Sequence, residues 1–259
     1  MGGSFIVGAE EFLAVRHSVL NGNTYDVGQL VEDTLNLERY THGRRIVPCF
    51  EGDVIPVKET KETVFTHKNF LPLSRQKYQK LREKKLAASL EEVLDKVARY
   101  KQQSPGQRIV LCLEPKPITD RSTIDNVVQT LKEYKLPDVD VYFDSFFGDK
   151  LDAVENANRQ FGTAYARSLH LIGNAGRLKL MMTQPKQGYE ILTVPHAMSA
   201  GKLGEPVIYG AVGSVEILQK VAENPQVQGA YVRLKEGAGV KGALVKLWNS
   251  VTNTDKRGN

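Results

Sequence analysis

The strongest constraint on this chain is an alternation. Short apolar runs of strand length are separated, along most of the sequence, by stretches with helical periodicity. The strand-like runs are Phe12–His17, Ile46–Val54, Arg108–Lys116, Val139–Phe146, Leu178–Thr183, Ile191–His196, Pro206–Val212 and Gly229–Leu234. Most are bounded by Gly, Pro, Asn or Asp. Several are almost continuously apolar, as strands covered on both faces must be. Helical stretches between them include Tyr25–Tyr40, Ser74–Tyr100, Ser122–Tyr134, Lys150–Phe161, Ser214–Ala222 and Val240–Val251, while the crossover after the sixth run is too short for a full helix. Eight strands in 259 residues predict an α/β chain closed into a (β/α)8 TIM barrel, with one domain over residues 1–259. A doubly wound open sheet is the alternative; the count and the length favour the barrel.

Composition narrows the function classes. At 41% hydrophobic and 25% charged residues, the chain has enough apolar material for a large core and is no disordered or collagen-like sequence. Its two cysteines exclude a disulfide scaffold and fit a reducing compartment. No run approaches the ~18 apolar residues of a membrane span. Met1 to Ile6 carry neither a basic leader nor an apolar core, so the expected location is cytoplasmic. The net charge of +5 is concentrated: Arg75 to Lys101 hold nine basic residues against four acidic ones, and the rest of the chain is neutral. Apolar spacing through Tyr78, Leu81, Leu86, Leu90, Leu94 and Val97 predicts one long outer helix, capped by Ser74. Its lysines read first as a solvated face and second as a weak contact with an anionic membrane surface. Aromatic residues are sparse there, which argues against nucleic acid as a partner.

In such a barrel the reactive groups sit at the C-terminal ends of strands and in the loops that follow. The first run ends in His17. The second holds Glu51 and Asp53, and a short apolar run after it closes on Thr66-His67-Lys68-Asn69. The third ends in Glu114-Pro115-Lys116. Side chains alternate along a strand, so Glu51 and Asp53 face one way, as do Glu114 and Lys116. Three carboxylates converging at a barrel mouth repel one another, and hard oxygen ligands of this kind suit Mg²⁺ or Ca²⁺. Lys116 beside them offers a positive group to a phosphate oxygen. His17 and His67, placed across the opening from each other, fit a general base and a general acid. Metal, lysine and two histidines together suit the breaking of a phosphate ester.

The same residues carry a resemblance. His17 with Asn23-Thr24 downstream, Phe50-Glu51-Gly52-Asp53-Val54, Thr66-His67-Lys68-Asn69 and Leu113-Glu114-Pro115-Lys116 resemble the glycerophosphodiester phosphodiesterases and, more distantly, the sphingomyelinase D phospholipases. Asp144-Ser145-Phe146-Phe147 is a looser match. The likeness implies an acid/base pair at His17 and His67, a divalent cation held by Glu51, Asp53 and Glu114, and Lys116 near the phosphate. It implies a small-molecule or lipid phosphodiester as substrate, such as a glycerophosphodiester or a lysophospholipid. The motifs cover about the first 150 residues.

The chain departs from that pattern in two places. The phosphodiesterases carry His-Arg-Gly, whereas Ser18 and Val19 follow His17 here. The arginine that would clamp the phosphate is missing, as in sphingomyelinase D, and Arg16 falls on the opposite face of its strand. Arg233 on the eighth strand is the candidate replacement. The tryptophan of the family's seventh strand is replaced by Val207-Ile208-Tyr209-Gly210-Ala211-Val212. Three alternatives therefore stay open. One is a sphingomyelinase D-like lyase that yields a cyclic phosphate. Another is a barrel lyase or isomerase gripping a phosphorylated metabolite with the glycine-rich loops Gly210–Ser214 and Glu236–Val240. The third is a non-catalytic barrel that binds a headgroup. Strand register also places Cys49 and Cys112 two residues before proposed ligands, so both are expected inside the barrel as buried, unreactive thiols.

Overall fold

The computed structural model describes residues 7–60, 62–67, 72–170, 191–195 and 207–233. Among the described residues ten strands lie in one sheet: β1 (Glu11–Arg16), β2 (Arg45–Pro56), β3 (Thr63–Phe65), β4 (Ala88–Ser89), β5 (Ile109–Pro115), β6 (Val139–Ser145), β7 (Ala166–His170), β8 (Ile191–Pro195), β9 (Val207–Val212) and β10 (Val227–Val232). Eight of them run in parallel in the order β1-β2-β5-β6-β7-β8-β9-β10, and β10 pairs back onto β1. The sheet is a closed (β/α)8 barrel. β3 and β4 extend it as an antiparallel flap on the overhanging end of β2.

The helices are α1 (Val27–Leu35), α2 (Arg75–Glu83), α3 (Leu90–Gln103), α4 (Arg121–Tyr134), α5 (Gly148–Phe161) and α6 (Val215–Ala222). A 3-10 turn at Glu38–Tyr40 follows α1. Polar side chains start most of them: Asp26, Ser74, Ser89, Asp120 and Ser214 each accept a backbone N–H of the first turn. Period-two alternation sorts the strand residues into two cores. Phe12, Ala14, Ile46, Phe50, Leu111, Leu113 and Phe143 pack outward against the helices. Leu13, Val15, Val47, Cys49, Val110, Cys112, Tyr142, Ile208 and Tyr231 fill the interior. Gly229 sits where β10 closes on β1; a Cβ there would lie 2.3 Å from the Leu13 carbonyl oxygen, so only glycine permits that approach.

Two expectations need amendment. The basic segment expected as one helix over 74–100 is two helices. Lys85 adopts a left-handed conformation (φ 58°) after α2, and a capping box between Ser89 and Glu92 starts α3 afresh. The pairing of β4 with β3 between the two helices is what interrupts the periodicity. The fifth barrel stave is β7, Ala166–His170, which the apolar pattern leaves unmarked; Leu178–Thr183 lies outside the described residues. So do His196, the loop at 236–240 and the expected helix at 240–251.

Candidate active site

β2 and β5 lie side by side with Asp53 directly opposite Glu114 and Glu51 opposite Cys112. Inward-facing positions on these staves therefore put Glu51, Asp53 and Glu114 at one end of the barrel. One carboxylate oxygen from each lies within 4.8 Å of the others, and all three residues are buried. Gly52 separates the first two for a steric reason: a Cβ at that position would stand 2.7 Å from the Phe65 ring and 2.8 Å from Leu20 Cβ. The flap strand and the β1–α1 loop close onto β2 through that space.

Each carboxylate is held by a different neighbour. After β1, Ser18 takes a left-handed conformation (φ 56°), which turns its backbone N–H onto Glu51 Oε2. His17 Nδ1 lies 2.9 Å from the same oxygen. Glu51 Oε1 is buried and accepts no hydrogen bond among the described residues. Asn21 grips Asp53 twice, donating from Nδ2 to Oδ2 at 2.7 Å and accepting the Asp53 N–H at 2.8 Å. His67, on the turn after β3, brings Nδ1 to 2.7 Å from Asp53 Oδ2. Lys116 bridges the two staves, with Nζ 2.5 Å from Asp53 Oδ1 and 2.6 Å from Glu114 Oε1.

The electrostatics follow from burial. Desolvation and the Asp53 charge push the Glu51 carboxyl well up. Desolvation also raises Glu114, beyond the opposing pull of Lys116. Burial pulls Lys116 down, but Glu114 and Asp53 outweigh it and its pKa is raised. Full ionisation of three carboxylates against one ammonium would leave an excess of negative charge in a dry place, and without a counter-ion Glu51 and Glu114 hold their protons instead. A divalent ion with oxygen preference fits this donor set, and the orphaned Glu51 oxygen is the acceptor it would satisfy.

The two imidazoles differ. His17 is the inner one, with its side chain 24% exposed, and burial, helped by the Arg233 charge, lowers its pKa to about 4. His67 is 58% exposed. Their rings are side by side, edge to face, with centroids 5.7 Å apart, rather than on opposite sides of the mouth. Arg233 follows β10 and is exposed, close enough for its charge to act on His17. Of the glycine-rich phosphate grip, only the first half lies among the described residues, where Ser214 caps α6 with its own hydroxyl.

Asn21, Tyr231 and His170 join the site without having been marked by the sequence. The Tyr231 ring lies 6.1 Å from His17, and its hydroxyl donates to Asp144 Oδ2. His170 Nδ1 stands 3.0 Å from that same oxygen. Cys49 and Cys112 are free and buried below these groups; the Tyr231 hydroxyl lies 3.5 Å from Cys112 Sγ. Burial raises both thiols, which keeps them protonated.

No family model matches the sequence, and no curated protein matches it. Among solved structures the chain is similar to an Oleispira antarctica phosphodiesterase in complex with the product sn-glycerol-3-phosphate. That likeness has 15% identity and a TM-score of 0.53, and covers 86% of this chain and 92% of the other. The carboxyl transferase domain of Rhizobium etli pyruvate carboxylase is similar at 10% identity and a TM-score of 0.48, over 89% of this chain and 42% of the other. At such identities the first likeness bears on the barrel fold and not on an activity.

Proposed function

We propose that this barrel cleaves phosphodiesters with a divalent cation, Mg²⁺ or Ca²⁺, held by Glu51, Asp53 and Glu114. One observation carries the reading: three buried carboxylates converge at the C-terminal end of neighbouring staves, and two imidazoles are anchored on two of them. The substrate class is a glycerophosphodiester or a lysophospholipid-like diester, supported by the motif resemblance and by the glycerol phosphate bound to the similar phosphodiesterase.

The chain's own residues divide the work. His17 is neutral near pH 7 because burial lowers it to about 4. With Nδ1 on Glu51, it has Nε2 left to take the proton of the attacking oxygen. His67, anchored on Asp53 and open to solvent, gives a proton to the leaving oxygen. Lys116 neutralises a phosphoryl oxygen, and Arg233 is the second positive group at the mouth. A divalent cation bound by the triad would supply positive charge to the phosphoryl oxygens as negative charge builds on them. In hydrolysis, water adds to phosphorus, the bond from phosphorus to the leaving oxygen breaks, and an alcohol and a phosphomonoester result.

Ser18-Val19 in place of Arg-Gly supports a second reading, attack by a neighbouring substrate hydroxyl to give a cyclic phosphate. Phosphorus NMR of a glycerophosphodiester and lysophospholipid panel with Mg²⁺ or Ca²⁺ separates the two. A linear monoester supports hydrolysis and a cyclic diester supports the internal route. An unchanged panel refutes both.

A further inference from the structure

β7 carries a group that neither the motifs nor the proposed mechanism uses. His170 closes this stave at the same end of the barrel as the acidic triad, inward-facing in step with Ala166 and Ser168. In an eight-stave barrel β7 is the fifth stave and β1 the first, so His170 stands across the mouth from His17. Tyr231 lies between them, 5.5 Å from one ring and 6.1 Å from the other.

His170 is held on three sides. Phe146 stacks flat on it, with centroids 4.4 Å apart and an interplanar angle of 6°. Tyr231 lies against it at a tilt of 34°. Asp144, fully buried on β6, pairs with Nδ1 at 3.0 Å and uses the same oxygen to accept the Tyr231 hydroxyl. Its other oxygen, Oδ1, accepts nothing among the described residues. Burial works against charge on the imidazole, but Asp144, with Glu114 and Glu51 farther off, outweighs it, so the pKa is raised. Nδ1 faces the Asp144 carboxylate as an ion pair without making a hydrogen bond, so Nε2–H is the ring's other donor. A buried ion pair placed only to fill space is a poor choice, since apolar residues of similar volume stabilise as well or better. Phe146 is the exposed large apolar side chain of the described residues, at 37%, and it roofs this ring at the mouth.

We infer that His170, paired with Asp144 and packed between Phe146 and Tyr231, binds a phosphate oxygen of the substrate from the side of the mouth opposite His17. It rests on the phosphodiester reading and deepens it. The missing His-Arg arginine is then replaced by a cation delivered from the fifth stave, and Asp144 is its positioning residue.

The experiment uses the full chain with ¹⁵N-labelled histidine, Mg²⁺ and inorganic phosphate as the probe, the five histidine signals being assigned by single replacement of the other four. The expected result is a saturable shift of the His170 Nε2 signal. H170Q and D144N should each weaken phosphate binding about tenfold, the scale of one charge-assisted hydrogen bond, and should raise KM for a glycerophosphodiester more than they lower kcat. An unmoved His170 signal at phosphate saturation overturns the inference even if the variants fail to fold, as does H170Q with wild-type phosphate affinity. Absence of turnover by the wild-type chain would instead sink the phosphodiesterase reading, and the phosphate titration would still decide the role of His170.

Discussion

Asp53 and Glu114 are direct partners across the β2–β5 ladder, and both place a carboxylate oxygen on the ammonium of Lys116. Strand register alone brings these charges together. Lys116 offsets part of their repulsion, and the part it leaves, centred on Glu51, is what the account assigns to a divalent ion.

Replacing Glu51 with Gln keeps the shape and removes the ionisable carboxyl. The metal-free protein should be as stable as wild type or more so, because a buried carboxylate in an acidic cluster is lost. Thermal stabilisation by Mg²⁺ should disappear, and phosphodiester turnover should fall by about a thousandfold or more, the scale of losing a charge-stabilising group. Differential scanning fluorimetry with and without metal, beside a turnover assay, reads both. Retained metal stabilisation in the variant would count against Glu51 as a ligand.

The raised carboxyls set a pH dependence. Glu51 is lifted from an ordinary value of 4.5 to about 8, and Glu114 to about 7. A carboxyl that holds its proton more tightly when folded stabilises the fold below its unfolded pKa, and that contribution is lost as pH rises through the folded value. In EDTA the melting temperature should therefore fall between about pH 5 and about pH 8. Metal binding displaces these protons, so stabilisation by added Mg²⁺ should grow over the same interval. A flat melting curve in EDTA is the contrary result.

Unequal exposure of the two imidazoles predicts unequal rescue. H67G opens a cavity at a surface position and H17G one inside the mouth, the side chains being 58% and 24% exposed. Free imidazole in the assay should restore part of the turnover of H67G and little of that of H17G. Equal rescue would remove the distinction between an inner base and an outer acid.

Gly52→Ala should destabilise the chain by about 1–3 kcal/mol, since the added methyl meets both Phe65 and Leu20 closer than atoms can approach. The displaced flap carries His67, so turnover should fall with stability. Chemical denaturation of the metal-free protein measures the first effect. An unchanged midpoint would mean that the flap yields freely.

What the sequence made legible follows from where polarity faces. β1, β2, β5 and β6 each hold an unbroken apolar stretch, with Glu51 and Asp53 in the second half of β2 and Glu114 next to the end of β5, so both the staves and the site could be read from them. β7 could not: its inward positions include Ser168, bonded to Thr193, and His170, paired with Asp144, while Arg167 breaks the outward face. A stave with a polar interior has no apolar signature. The split of the basic segment was hidden for another reason. Apolar residues from α2, the flap and α3 fall by chance on one helical stripe, and only the Ser89-x-x-Glu92 box betrays the restart.

The central claim is that Glu51, Asp53 and Glu114 share one cation. Anomalous diffraction from a crystal grown with Mn²⁺, which takes the same hard oxygen ligands, tests it most directly. The account predicts one strong peak ligated by an oxygen from each of the three carboxylates, with Lys116 Nζ withdrawn from at least one of them. A triad still bridged by Lys116, with manganese bound elsewhere or nowhere at saturating concentration, would contradict it.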